Sequence, residues 1–77
     1  MTAFTPLPTE PPTLVTLLDE ADASTLYIGK AVPGTAESAA NWSIQKMTKV
    51  GNVTKILRAD SGYFTQVWNN RASLSYA

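Results

Sequence analysis

From Thr13 onward the apolar residues come in short runs, and polar or turn-forming residues separate the runs at fairly regular intervals. The first run, Thr13 to Leu18 (TLVTLL), is too short for periodicity to separate a strand from one helical turn. Its β-branched content favours a strand, followed by a polar turn over Asp19 to Ser24. Leu26, Tyr27 and Ile28 form a second predicted strand, closed by Gly29 and then by the Pro33-Gly34 dipeptide, a strong turn signal. Thr35 to Asn41 (TAESAAN) tolerates helix but is too short for a stable isolated one, so a loop or a single helical turn is expected there.

In WSIQKMTKV, Trp42 and Ile44 share one parity and Met47 has the other, so a bulge or a change of burial is expected near Gln45. Gly51-Asn52 then separates this run from VTKILRA, the pattern of a two-residue hairpin loop. Asp60-Ser61-Gly62 breaks the next strand. Phe64, Val67 and Trp68 follow at i, i+3, i+4 spacing, which predicts a helical turn acting as a lid on the core. The tail alternates Ala72, Leu74 and Tyr76 with serines, which reads as a closing strand. The fold class expected is all-β: a small antiparallel sandwich or barrel of about five short strands over residues 14 to 77, its topology open. The core expected is Leu26, Ile28, Trp42, Ile44, Val53, Ile56, Phe64, Val67, Trp68 and Leu74.

Residues 1 to 13 (MTAFTPLPTEPPT) break this pattern. They hold four of the five prolines, and proline fixes φ and removes amide donors, so an extended arm is expected. Phe4, Leu7, Pro11 and Pro12 are its candidate partner-binding residues, since a pre-extended segment loses little entropy on docking. A frayed terminus is the competing reading. With only 77 residues, 44% of them apolar, the chain has a small core and is expected to gain stability from oligomerisation or docking. No basic, apolar export signal and no membrane-length apolar stretch is visible, so a soluble protein without a membrane partner is expected.

The formal net charge of zero conceals an asymmetry. Residues 1 to 39 carry Glu10, Asp19, Glu20, Asp22 and Glu37 against Lys30, a net −4, while residues 40 to 77 carry Lys46, Lys49, Lys55, Arg58 and Arg71 against Asp60, a net +4. Such halves attract within one subunit or between neighbours, unless they are simply scattered solvated charges. A pI near 6.1 does not suit a nucleic-acid partner.

Candidate chemistry is sparse. Cysteine and histidine are absent, which removes thiolate nucleophiles, the commonest general base and the usual transition-metal ligands. The cluster Asp19, Glu20, Asp22 lacks the spacing of a calcium loop and reads as a solvated turn. The four glycines are too dispersed for a phosphate cradle. Asn41-Trp42-Ser43 and Asn52-Val53-Thr54 match the glycosylation triplet, which has meaning only in a secretory pathway. No catalytic, cofactor or metal set is read, and a non-enzymatic protein is expected. Tyr27, Trp42, Tyr63, Trp68 and Tyr76 suit core packing, an interface or a sugar platform. Tyr63, Arg71 and Tyr76 join the arm residues as candidate partner contacts, with Arg71 placed to pair with Asp60 or with a carboxylate on a partner, or else an ordinary surface arginine.

From Tyr27 onward the chain shows YIG, PGT, a Trp-x-Ile run, a Val-Thr hairpin and a closing VW-x-x-RASL-x-Y, and in these it resembles short virion structural proteins of tailed bacteriophages. The resemblance covers about two thirds of the chain, with Asp60-Ser61-Gly62 and Asn69-Asn70 as local departures, and it implies no catalytic residues. What it implies is a multi-copy or homo-oligomeric virion subunit, made in the host cytoplasm, with the major capsid protein or other virion structural proteins as partners. A capsid decoration or cement role leads. A tail or fibre adaptor binding a host surface comes second, and a small intracellular regulatory binding protein third.

Overall fold

A computed structural model describes residues 13–77. The arm expected over residues 1 to 13, with Phe4, Leu7, Pro11 and Pro12, lies outside the described residues except for Thr13. The rest forms four strands, β1 (Val15–Asp22), β2 (Thr25–Ala31), β3 (Ser43–Val50) and β4 (Val53–Arg58), followed by 3₁₀ segments at Asp60–Gly62 and Trp68–Ser73. The strands make one antiparallel sheet in sequence order.

The all-β class stands, with four strands in one open sheet rather than five in a sandwich or barrel. The tail that was expected to close the fold as a strand is 3₁₀ through Ser73. Only Tyr76 then forms an isolated bridge with Ala59, flanked by paired backbone bonds between Arg58 and Ala77. The first strand outruns its apolar residues: Asp19 pairs with Tyr27, Glu20 with Leu26 and, past a register shift, Asp22 with Thr25, so the turn itself is only Ala23 and Ser24. Charged residues are tolerated there because β1 is an edge strand, where charge also discourages unwanted pairing. Gly29 does not end β2 but sits inside it, opposite Leu17 and Ile44. The Gly51-Asn52 hairpin forms as expected, with Val50 opposite Val53 and Gly51 at φ 60°. No bulge occurs at Gln45; β3 keeps its register and a change of burial accounts for Met47.

Alternation of side chains across the register defines two faces. One carries Val15 and Leu17 of β1, Tyr27, Gly29 and Ala31 of β2, Ile44 of β3 and, past β4, Ala59. The C-terminal segment folds over this face, and the buried core is Tyr27, Ala31, Trp42, Ile44, Ala59 and Trp68, with Val15, Leu17, Leu74 and Tyr76 packed against it. The reversal after β4 uses Asp60 and Ser61 at φ 47° and 55° and Gly62 at φ 86°. Short polar side chains and glycine are the residues that tolerate this left-handed region.

Trp42, Ile44, Trp68 and Leu74 therefore occupy core positions as expected. Val53, Ile56 and Phe64 do not: all three are exposed, and Leu26 and Ile28 are half-buried on the opposite face. The helical turn expected to gather Phe64, Val67 and Trp68 is absent, because the 3₁₀ helix begins only at Trp68 and Gln66 instead bridges Trp42 through paired backbone bonds. Backbone pairing with the strand entrance outcompetes a helical turn too short to be stable alone. Ala31 and Ala59 are core residues that the pattern of large side chains passed over, and Tyr27, open between core, interface and sugar platform in the sequence, is buried.

Candidate functional site

The covered face is held by two aromatic pairs. Trp42 and Trp68 lie with ring centroids 5.9 Å apart, and Tyr27 and Tyr76 lie 6.0 Å apart, both tilted. Trp68 lies on Gly29, where an added Cβ would enter its ring, so the glycine makes room for the indole. Trp42 donates its Nε1–H to the Ala36 carbonyl at 2.9 Å, which satisfies the one polar group of this buried side chain.

Arg71 locks the C-terminal segment to the sheet. Its guanidinium stacks on Trp68 at 4.5 Å, its Nε donates to Asp19 Oδ2 at 2.8 Å and its Nη1 donates to the Trp68 carbonyl at 3.1 Å. The expected Asp60 pairing is thus replaced by one with Asp19, while Asp60 accepts a hydrogen bond from Thr65. The planar guanidinium supports stacking and ion pairing at once. The acidic and basic halves of the sequence meet intramolecularly here.

Tyr76 also serves the fold. Its hydroxyl donates to the Arg71 carbonyl at 2.7 Å, and Lys46 Nζ lies 5.6 Å from its ring and 5.9 Å from that of Tyr27. Burial, with a smaller contribution from Tyr27, pushes the Tyr76 phenol up to about 12, against a lowering by Arg71. Of the three C-terminal candidates, only Tyr63 is freely available, at 64% exposure; Arg71 and Tyr76 are half-buried and engaged with the core. Tyr76 packs on Tyr27 and Trp68 is buried against Trp42, so Tyr63 is the exposed member of the five expected aromatics.

The opposite face of the sheet has no cover among the described residues. Its rows read Leu18, Ile28, Gln45, Arg58 and then Glu20, Leu26, Met47, Ile56 across the four strands. Leu18 is 62% exposed and Ile56 50%, with Leu26, Ile28 and Met47 half-buried between them. Thr16, Glu20, Lys30, Lys49, Thr54 and Arg58 frame this apolar stripe. Near the β1–β2 turn it deepens into a cleft of about 290 Å³, with Leu26 and Met47 as floor and Glu20, Asp22 and Lys49 at the rim.

Charge is graded across the sheet. Asp19, Glu20 and Asp22 lie on β1, whereas Lys46, Lys49, Lys55 and Arg58 lie on β3 and β4. Leu26, Ile28 and Ile56, expected in the core, belong to this surface, and Leu18 and Met47 join them. The sequence carried a signal of it: in β2, apolar residues occupy both parities, the mark of a strand covered on both sides. Among the described residues no group of three or more acidic side chains is placed to hold a metal ion, and no helix is long and apolar enough to cross a membrane. Comparison of the chain with family models, curated proteins and solved structures finds no match.

Proposed function

We propose that this chain is a non-enzymatic structural subunit of a bacteriophage virion, repeated on the capsid as a decoration or cement protein. The observation that carries the reading is the apolar stripe of Leu18, Leu26, Ile28, Met47 and Ile56, which has no cover among the described residues. A sheet with apolar residues on both faces is completed by a second layer, and exposed patches of this kind mark interaction surfaces. The residues that carry the phage resemblance add support in an indirect way. Tyr27 and Gly29 of YIG, Trp42 and Ile44 of the Trp-x-Ile run, and Trp68, Arg71, Leu74 and Tyr76 of the closing motif all build the covered face. The shared pattern thus encodes the scaffold, which leaves the other face and the arm residues Phe4, Leu7, Pro11 and Pro12 to make contacts with the major capsid protein or neighbouring virion proteins.

The test is to add purified protein to capsids lacking it and to image them by cryo-electron microscopy. Saturable density repeated over the capsid lattice is expected, and removal of residues 1 to 13 is expected to weaken attachment while leaving the circular dichroism spectrum of the domain unchanged. Density confined to a ring or fibre would move the chain to the neck or tail, and absence from purified virions would overturn the virion reading.

A further inference from the structure

We propose that the open sheet face is a self-association surface, on which a second copy of this chain packs face to face about a two-fold axis parallel to the strands. The reading rests on the same open face as the proposed function and names its occupant; with a second copy on that face, contacts with a capsid fall to the arm residues and to the outer surfaces of the dimer. Two sheets packed in this way form a sandwich with a spacing of about 10 Å and cover the face that the described residues leave open.

Charge complementarity selects this occupant and its orientation. An axis parallel to the strands and running between β2 and β3 sets β1 of each copy over β4 of the other. Glu20 of β1 then comes over Ile56, one row from Arg58, and Leu18 lies along the aliphatic part of the Arg58 side chain. In the same arrangement Leu26 meets Met47 across the interface and Ile28 meets Gln45. The alternative axis, perpendicular to the strands, stacks β1 on β1 and brings the Glu20 carboxylates of the two copies toward each other. Like charges facing across an interface disfavour that arrangement.

The area sets the strength. Four strands at about 4.8 Å spacing, each contributing about seven residues at about 3.3 Å, span roughly 19 by 23 Å. This lies at the low end for a specific interface, so a dissociation constant on the order of micromolar is expected rather than an obligate dimer.

Sedimentation velocity of the full chain over a range of concentrations tests the proposal. A reversible monomer–dimer equilibrium is expected. Ile56→Lys, a change at an exposed site, should weaken it at least tenfold while circular dichroism stays unchanged. Glu20→Lys and Arg58→Glu should each weaken association, and the double variant should recover most of it. A chain that remains monomeric to millimolar concentration overturns the proposal, as does a dimer unaffected by Ile56→Lys. Failure of the double variant to recover overturns the strand-parallel axis. None of these outcomes depends on capsid binding, so the virion reading and the self-association reading fail separately.

Discussion

Gly29 and Tyr76 show how single residues carry the covered face. Gly29 has no need of a left-handed backbone; what it supplies is the missing Cβ, because Trp68 occupies that space and Trp42 stands 3.3 Å from it. Gly29→Ala is therefore expected to destabilise the fold by about 1 to 3 kcal/mol, the usual cost of overpacking a filled core. Urea unfolding followed by tryptophan fluorescence would measure it, and a neutral result would mean that the indole has room to shift. Tyr76 carries a pH signature. Its phenol is pushed from 10.0 up to about 12, mainly by burial, so between those values the folded chain holds a proton that the unfolded chain has released. The associated stability is full below pH 10 and is lost as pH climbs toward 12. Tyr76→Phe should flatten that part of the stability profile, at the cost of about 1 kcal/mol at neutral pH for the lost bond to the Arg71 carbonyl. Equal alkaline slopes in the two proteins would count against this assignment.

At the scale of elements, the C-terminal segment does the work of a second layer with almost no regular structure. It runs from the left-handed reversal at Asp60 through the Gln66–Trp42 bridge, the 3₁₀ helix and the Ala59–Tyr76 bridge, and it returns to the sheet at each point. The ion pair from Arg71 to Asp19 ties it across the full width of the sheet, from the cap to the β1 edge. Removal of residues 75–77 is expected to uncover Tyr27 and to release the end of β4. In hydrogen exchange, the Arg58 amide, bonded to the Ala77 carbonyl, should lose protection first. The Ala59 amide, bonded to Ile44 within the sheet, should retain more of it. Simultaneous loss at both sites would indicate that the tail and the sheet unfold as one unit.

For the molecule as a whole, strand order converts an asymmetry along the sequence into one across space. Because the sheet is a simple meander, the acidic strand lies at one edge and the basic strands at the other. The net charge of zero then coexists with a lateral polarity, an arrangement suited to orienting an approaching charged surface. Self-association through the open face should weaken as salt rises, since its orienting charges lie at the solvent-accessible margin of the stripe. Sedimentation at low and high ionic strength would read this directly, and an association insensitive to salt would assign the contact to apolar burial alone.

The all-β class, the Gly51-Asn52 hairpin, the break at Asp60-Ser61-Gly62 and the central places of Trp42, Ile44 and Trp68 follow from the sequence by itself. These features are local: turn chemistry fixes the hairpin, and large aromatic side chains are buried in almost any compact arrangement of so short a chain. Tertiary structure alone decided which apolar residues lie inside. Leu26, Ile28 and Ile56 are as apolar as Ile44, yet they face away from the C-terminal segment that covers the sheet, and strand register and the path of residues 60–77 determine that. The small residues Gly29, Ala31 and Ala59 gained their importance in the same way, through what packs on them, which side-chain size in the sequence does not express. Arg71 found Asp19 at a separation of 52 residues because the cap crosses to the far edge of the sheet. Pairings of that kind are products of topology, and the apolar stripe on the open face has the same origin.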